Sequence, residues 1–90
     1  MVPVFNPQEK GRKKFYLVGM LVKNRPEQAP DLQKIITEYG SDVIGRFGIP
    51  SADKQDGLIV LAMQEEEAVH GLTSKLEAFP GLQIQTVQFD

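Results

Sequence analysis

The chain reads as a small α+β domain: a four-stranded antiparallel sheet with two helices on one face, in the order β-α-β-β-α-β. Three observations predict it. Phe15-Tyr16-Leu17-Val18-Gly19-Met20-Leu21-Val22 and Leu58-Ile59-Val60-Leu61-Ala62-Met63 are apolar at nearly every position, as strands covered on both faces are. Two other segments place their apolar residues at helical spacing. Glycines and prolines stand between these segments, where the chain must stop and turn.

Residues 1–14 are punctuated by Pro3 and Pro7 and end in Lys10-Gly11-Arg12-Lys13-Lys14. They are expected to form a flexible arm ahead of a single domain over 15–90. The first strand is Phe15 to Val22. Lys23 to Pro30 follows as a loop, since Pro26 and Pro30 resist a continuous helix. Asp31 or a near neighbour caps the first helix, whose stripe is Leu32, Ile35, Ile36 and Tyr39. Gly40 is expected to end it as a left-handed C-cap. The second strand runs from about Asp42 to Ile49, where Pro50 stops it. Gly45 and Gly48 within it cost entropy and pack nothing, so this strand must bend, bulge or admit another backbone closely. Ser51 to Asp56 form a polar hairpin loop, with Asp56-Gly57 as its turn signal. The third strand is Leu58 to Met63. Glu65-Glu66-Glu67 open the second helix at the positive end of its dipole. Val69, Leu72, Leu76 and Phe79 are its buried stripe, Pro80-Gly81 end it, and Leu82 to Phe89 form the last strand.

This order is the split βαβ, ferredoxin-like topology. Right-handed crossovers put both helices on one sheet face and strands one and three in the middle. Both faces of those central strands are apolar: Leu17 and Leu21 alternate with Val18, Met20 and Val22, and Val60 and Ala62 with Ile59, Leu61 and Met63. A bare apolar face exceeds what soluble monomers usually expose, so a homo-oligomer, dimer or tetramer, is expected. Val18, Met20, Val22, Ile59, Leu61 and Met63 are taken as its interface. The alternative cover is the 1–14 arm, which offers few apolar residues.

Composition removes several function classes. Ninety residues make one domain. With no cysteine, the chain carries no disulfide, thiolate nucleophile or Cys-x-x-Cys metal-carrier motif of its own. A net charge of −2 argues against general nucleic-acid affinity. The chain's start lacks the order of a signal peptide, and no apolar run reaches membrane-spanning length, so a cytoplasmic protein is expected. A lone histidine supports no nucleophile–base pair, and no catalytic residue, cofactor or metal site is assigned.

Tyr39-Gly40, Ile44-Gly45-Arg46-Phe47-Gly48-Ile49-Pro50, Gly71-Leu72-Thr73-Ser74-Lys75-Leu76 and Pro80-Gly81 carry a resemblance over roughly Tyr16 to Val87. The chain resembles a family of candidate regulators of the iron-only hydrogenase system, small ACT-like domains of anaerobic bacteria similar to the C-terminal domain of nickel-responsive regulators. The resemblance implies an ACT-type fold, dimers or tetramers, and a non-enzymatic role in regulation, transcriptional regulation included. In ACT domains the junction of the first strand and first helix takes small effectors. The expected effector-binding set is therefore Asn24, Arg25, Gly45 and Arg46, the arginines holding a carboxylate or phosphate. The plainer reading leaves these as surface arginines and the glycines as geometry.

Other constellations carry less. Glu66 and His70 stand at i, i+4, and are read first as an exposed pair and only second as metal ligands. A nickel site of the nickel-responsive type needs several histidines and a thiolate. Lys10, Arg12, Lys13 and Lys14 are read as a solvated tail before a DNA-contacting arm. Glu65, Glu66 and Glu67 point in three directions and cannot converge on one ion. An acylphosphatase-like enzyme needs a fuller arginine and asparagine set than Asn24-Arg25.

Overall fold

The computed structural model describes residues 14–23 and 25–90, and of Arg25 and Pro26 the backbone alone. Its elements are β1 (Phe15–Val22), α1 (Arg25–Glu38), β2 (Val43–Pro50), β3 (Gly57–Met63), α2 (Glu66–Leu76) and β4 (Gln83–Phe89). The strands form one antiparallel sheet in the order β2-β3-β1-β4, so the two most continuously apolar strands are the central ones. This is the four-stranded antiparallel sheet with two helices that the β-α-β-β-α-β order calls for. The arm expected over 1–14 lies outside the described residues except for Lys14.

The core lies between sheet and helices. Tyr16, Val18, Met20 and Val22 of β1 and Leu61 and Met63 of β3 meet Leu32 and Ile36 of α1 and Val69, Leu72 and Leu76 of α2. Val18, Met20, Val22, Leu61 and Met63 are each fully buried, and Ile59 packs against their cluster. These six residues were expected to form the contact between copies; instead they build the core of one chain. The physical reason is Gly19, which shares the opposite face with Leu17 and Leu21. A side-chain-free position at the centre of β1 would leave a void under the helices, whereas the two methionines and their neighbours fill that space.

α1 begins earlier than its prolines seemed to allow. Starting at Arg25, the helix places Pro26 in its first turn, where an amide has no intrahelical partner to lose. Pro30 forfeits one further bond, and burial of Leu32 and Ile36 downstream offsets it. From Arg25 onward the loop expected over Lys23–Pro30, and the cap expected at Asp31, are thus replaced by helix. Its end also differs from expectation. The Gly40 N–H donates to the Thr37 carbonyl at 3.0 Å, and Gly81 is the one described glycine with a positive φ. Gly40 serves by closeness: a Cβ there would stand 3.2 Å from the Thr37 oxygen.

β2 is an edge strand with a register shift between Val43 and Gly45, a bulge being one of the three outcomes expected of its glycines. The following loop is tied by side chains. The Ser51 hydroxyl and the Gln55 N–H donate to Asp53 Oδ1, at 2.5 and 3.0 Å, while the Asp56 N–H donates to Ser51 Oγ.

Candidate functional site

Arg46 is the charged residue of β2, and the pairing of Arg46 with Leu61 puts it on the helix side of the sheet. Its Nη2 donates to Gln33 Oε1 of α1 at 2.9 Å. Gln33 is fixed in turn by the helix, where its carbonyl accepts the Thr37 hydroxyl at 2.7 Å. The guanidinium thus meets a neutral amide, and among the described residues no carboxylate pairs with it. Its charge is available to an anion.

Two grooves run along the space between α1 and the β2 edge, and Arg46 lines both. One, of about 410 Å³, has Val22, Ala29, Pro50 and Ile59 as apolar walls with Gln33 and Arg46 as polar groups. The other, of about 320 Å³, lies toward the end of α1 between Ile36, Thr37, Val43 and Gly45. Gly48 forms part of the first groove's floor, where a side chain would project into the space. An apolar cleft with a few convergent polar groups is the usual form of a small-ligand site.

Of the four expected effector residues, the structure places Gly45 and Arg46 beside this cleft. Asn24 lies outside the described residues, and Arg25 is the first residue of α1. Sequence reasoning missed Gln33. The signal for it was slight: a polar residue next to Leu32, turned off the buried stripe toward whatever strand lies alongside.

The second candidate surface is the sheet face away from the helices. Strand pairing puts Phe15, Leu17, Gly19 and Leu21 there beside Leu58, Val60 and Ala62, with Phe47 and Ile49 on one flank and Val87 and Phe89 on the other. Of the seven exposed large apolar residues among those described, six (Phe15, Phe47, Ile49, Leu58, Val87 and Phe89) lie on this face. Gly19 opens a hollow of about 380 Å³ there, lined by Leu21, Leu58, Gln83 and Gln85.

The remaining polar features are local. His70 Nε2 stands 3.9 Å from Glu66 Oε2, both exposed. Glu66 also takes the Tyr16 phenol, whose pKa is raised by burial first and by this carboxylate second. Among the described residues no three His, Cys, Asp or Glu side chains gather as metal ligands, and no helix is long and apolar enough to cross a membrane.

Comparison with known proteins agrees with the fold. The uncharacterised protein TM1266 from Thermotoga maritima superposes with a TM-score of 0.78 at 21% identity, over 88% of this chain and all of that one. CPII, a nitrogen regulatory PII-like protein from Thiomonas intermedia K12 solved with ADP, AMP and bicarbonate, gives 0.56 at 14% identity, over 86% and 91% of the two chains. The regulatory subunit of aspartate kinase from Thermus flavus gives 0.54 at 14%, over 87% of this chain and 52% of that one. No curated protein sequence matches. The family model that matches spans residues 14–86, and the chain therefore belongs to the TM1266-like family, described as candidate regulators of the iron-only hydrogenase system.

Proposed function

We propose that this chain is a non-enzymatic regulatory module of the iron-only hydrogenase system, that it assembles with its own copies through the open sheet face, and that it takes a small anionic effector at Arg46. The reading rests on the family and on one observation above others: among the described residues, six of the seven large apolar side chains that a folded monomer exposes lie on a single surface. Four strands about 4.8 Å apart and seven residues long at about 3.3 Å each span roughly 450 Å² as a plane, before side-chain relief is counted. That is within the range of the largest patch on a typical monomer, which is often functional, and a little over half of what a standard interface needs from each partner.

Effector binding is supported by the unpaired guanidinium over an apolar cleft. That a PII-like neighbour was solved bound to ADP, AMP and bicarbonate supports this reading. Gly48 fits the same reading. A Cβ there would meet the Leu58 carbonyl at an ordinary 3.7 Å, so packing within the chain does not require glycine, and its absence of a side chain leaves the groove open.

A thermal-shift panel of ADP, AMP, bicarbonate and small carboxylates tests it. A ligand at 100 times its Kd adds about 2.7 kcal/mol, roughly 10–20 °C for a domain this size. Arg46→Ala should remove the shift while leaving the unliganded melting point nearly unchanged, because its partner is an exposed neutral amide. A shift that survives Arg46→Ala takes the site elsewhere.

A further inference from the structure

The two edges of the sheet are built differently. β2 carries a bulge, two glycines, a charge at Arg46 and a terminal proline, each of which discourages another strand from pairing with it. β4 carries none of these. Gln83-Ile84-Gln85-Thr86-Val87-Gln88-Phe89 has no charge, no proline and no glycine, and it pairs with β1 through seven consecutive residues without a shift. All of it but Ile84 is exposed. An uncharged strand of β-forming residues with no further strand beside it among the described residues is a template for another strand, and natural proteins usually blunt or cover such an edge.

The geometry points to β4 as a second self-association surface, at which two copies pair their β4 strands antiparallel and merge two sheets into one of eight strands. This contact is separate from the face contact of the proposed function. The strand is self-complementary under a two-fold axis. The register that uses all seven residues centres on Thr86. It sets Gln83 opposite Phe89, Gln85 opposite Val87, Ile84 opposite Gln88 and Thr86 opposite its own copy, with no like charges facing. Residues that meet in this register share a face, so the apolar sides of the two sheets become continuous. The helix layer leaves room for the seam. α2 packs on β1 and β3, and Thr86 and Gln88, on the helix side of β4, are exposed.

The register supplies its own test. Thr86→Lys places two like charges directly across the axis, on a side chain that is exposed in the monomer. Sedimentation equilibrium of the full chain should show the particle mass halved by T86K and halved by T86E, and restored when the two variants are mixed in equal amounts. Circular dichroism checks that each variant stays folded. If a variant unfolds, amide exchange of the wild-type chain decides: the outward amides of β4 should gain protection as concentration rises. Leu21→Lys, on the open face, separates the two contacts. Should the face contact fail, T86K still halves the particle; should the edge contact fail, only L21K changes it. A single-chain mass for the wild type, an unchanged mass for T86K, or β4 amides protected independently of concentration overturns the edge pairing.

Discussion

At the level of single residues, Gly71 of α2 is tightly fitted against Tyr39, just past the end of α1. A Cβ there would come within 2.7 Å of the Tyr39 hydroxyl. Tyr39 is held by Lys75, whose Nζ lies 5.4 Å from the ring centroid and donates to Glu38 at 2.6 Å. That hydrogen bond, with the charge of the Glu38 carboxylate, raises the Lys75 pKa. Gly71→Ala gains about 1 kcal/mol of helix propensity but must push the phenol aside. The net change in the wild-type background should therefore be near zero. In a Tyr39→Phe background, where the clashing atom is gone, most of that 1 kcal/mol should appear. Urea denaturation of the four-member cycle measures it, and equal effects in both backgrounds would mean the ring moves freely. Asp53 gives a pH-dependent counterpart. The Ser51 hydroxyl, and after it the Gln55 amide, hold its carboxyl below the ordinary value of 3.8. A depressed carboxylate contributes stability above its unfolded pKa and loses it as pH falls through the folded one. Asp53→Ala should thus lower the melting point at pH 7, with the deficit shrinking as the pH drops below 3.8.

At the level of elements, periodicity carried the reading of the order, the central strands and both helical stripes, because a period of 2 or 3.6 is written in the residues themselves. Three things were not written there. Alternation in β1 separates two apolar sets without saying which one the helices take. That is decided by crossover handedness and by volume, and Gly19 was the usable clue. The prolines of α1 argue for a loop by local rule, and burial of Leu32 and Ile36 overrides it. Arg46 was legible as a candidate, but Gln33 was not, since their contact spans two elements that only the fold brings together. The corrected faces make a sharp contrast. Met20→Ala removes a fully buried side chain and should cost about 2–5 kcal/mol at any protein concentration. Leu17→Ala, on the open face, should cost under about 1 kcal/mol in dilute solution. Its cost should grow as concentration rises. Equal, concentration-independent costs would contradict the assignment of faces.

At the level of the whole molecule, a net charge of −2 gives copies little reason to repel one another, while the open face and the β4 edge give them reason to associate. Stability should then depend on how much protein is present, which no property of a lone domain produces. For a dimer that unfolds as it dissociates, each tenfold rise in concentration adds about 1.4 kcal/mol. At a urea slope of about 1–3 kcal/mol/M, the midpoint should climb by roughly 0.5–1.4 M per decade. Leu21→Lys puts a charge on the open face and leaves the helix-side core untouched. It should lower the midpoint at high concentration and leave it unchanged at limiting dilution. If the wild-type midpoint is instead flat from nanomolar to high micromolar concentration, copies of this chain do not cover one another, and the apolar face must be accounted for within a single chain.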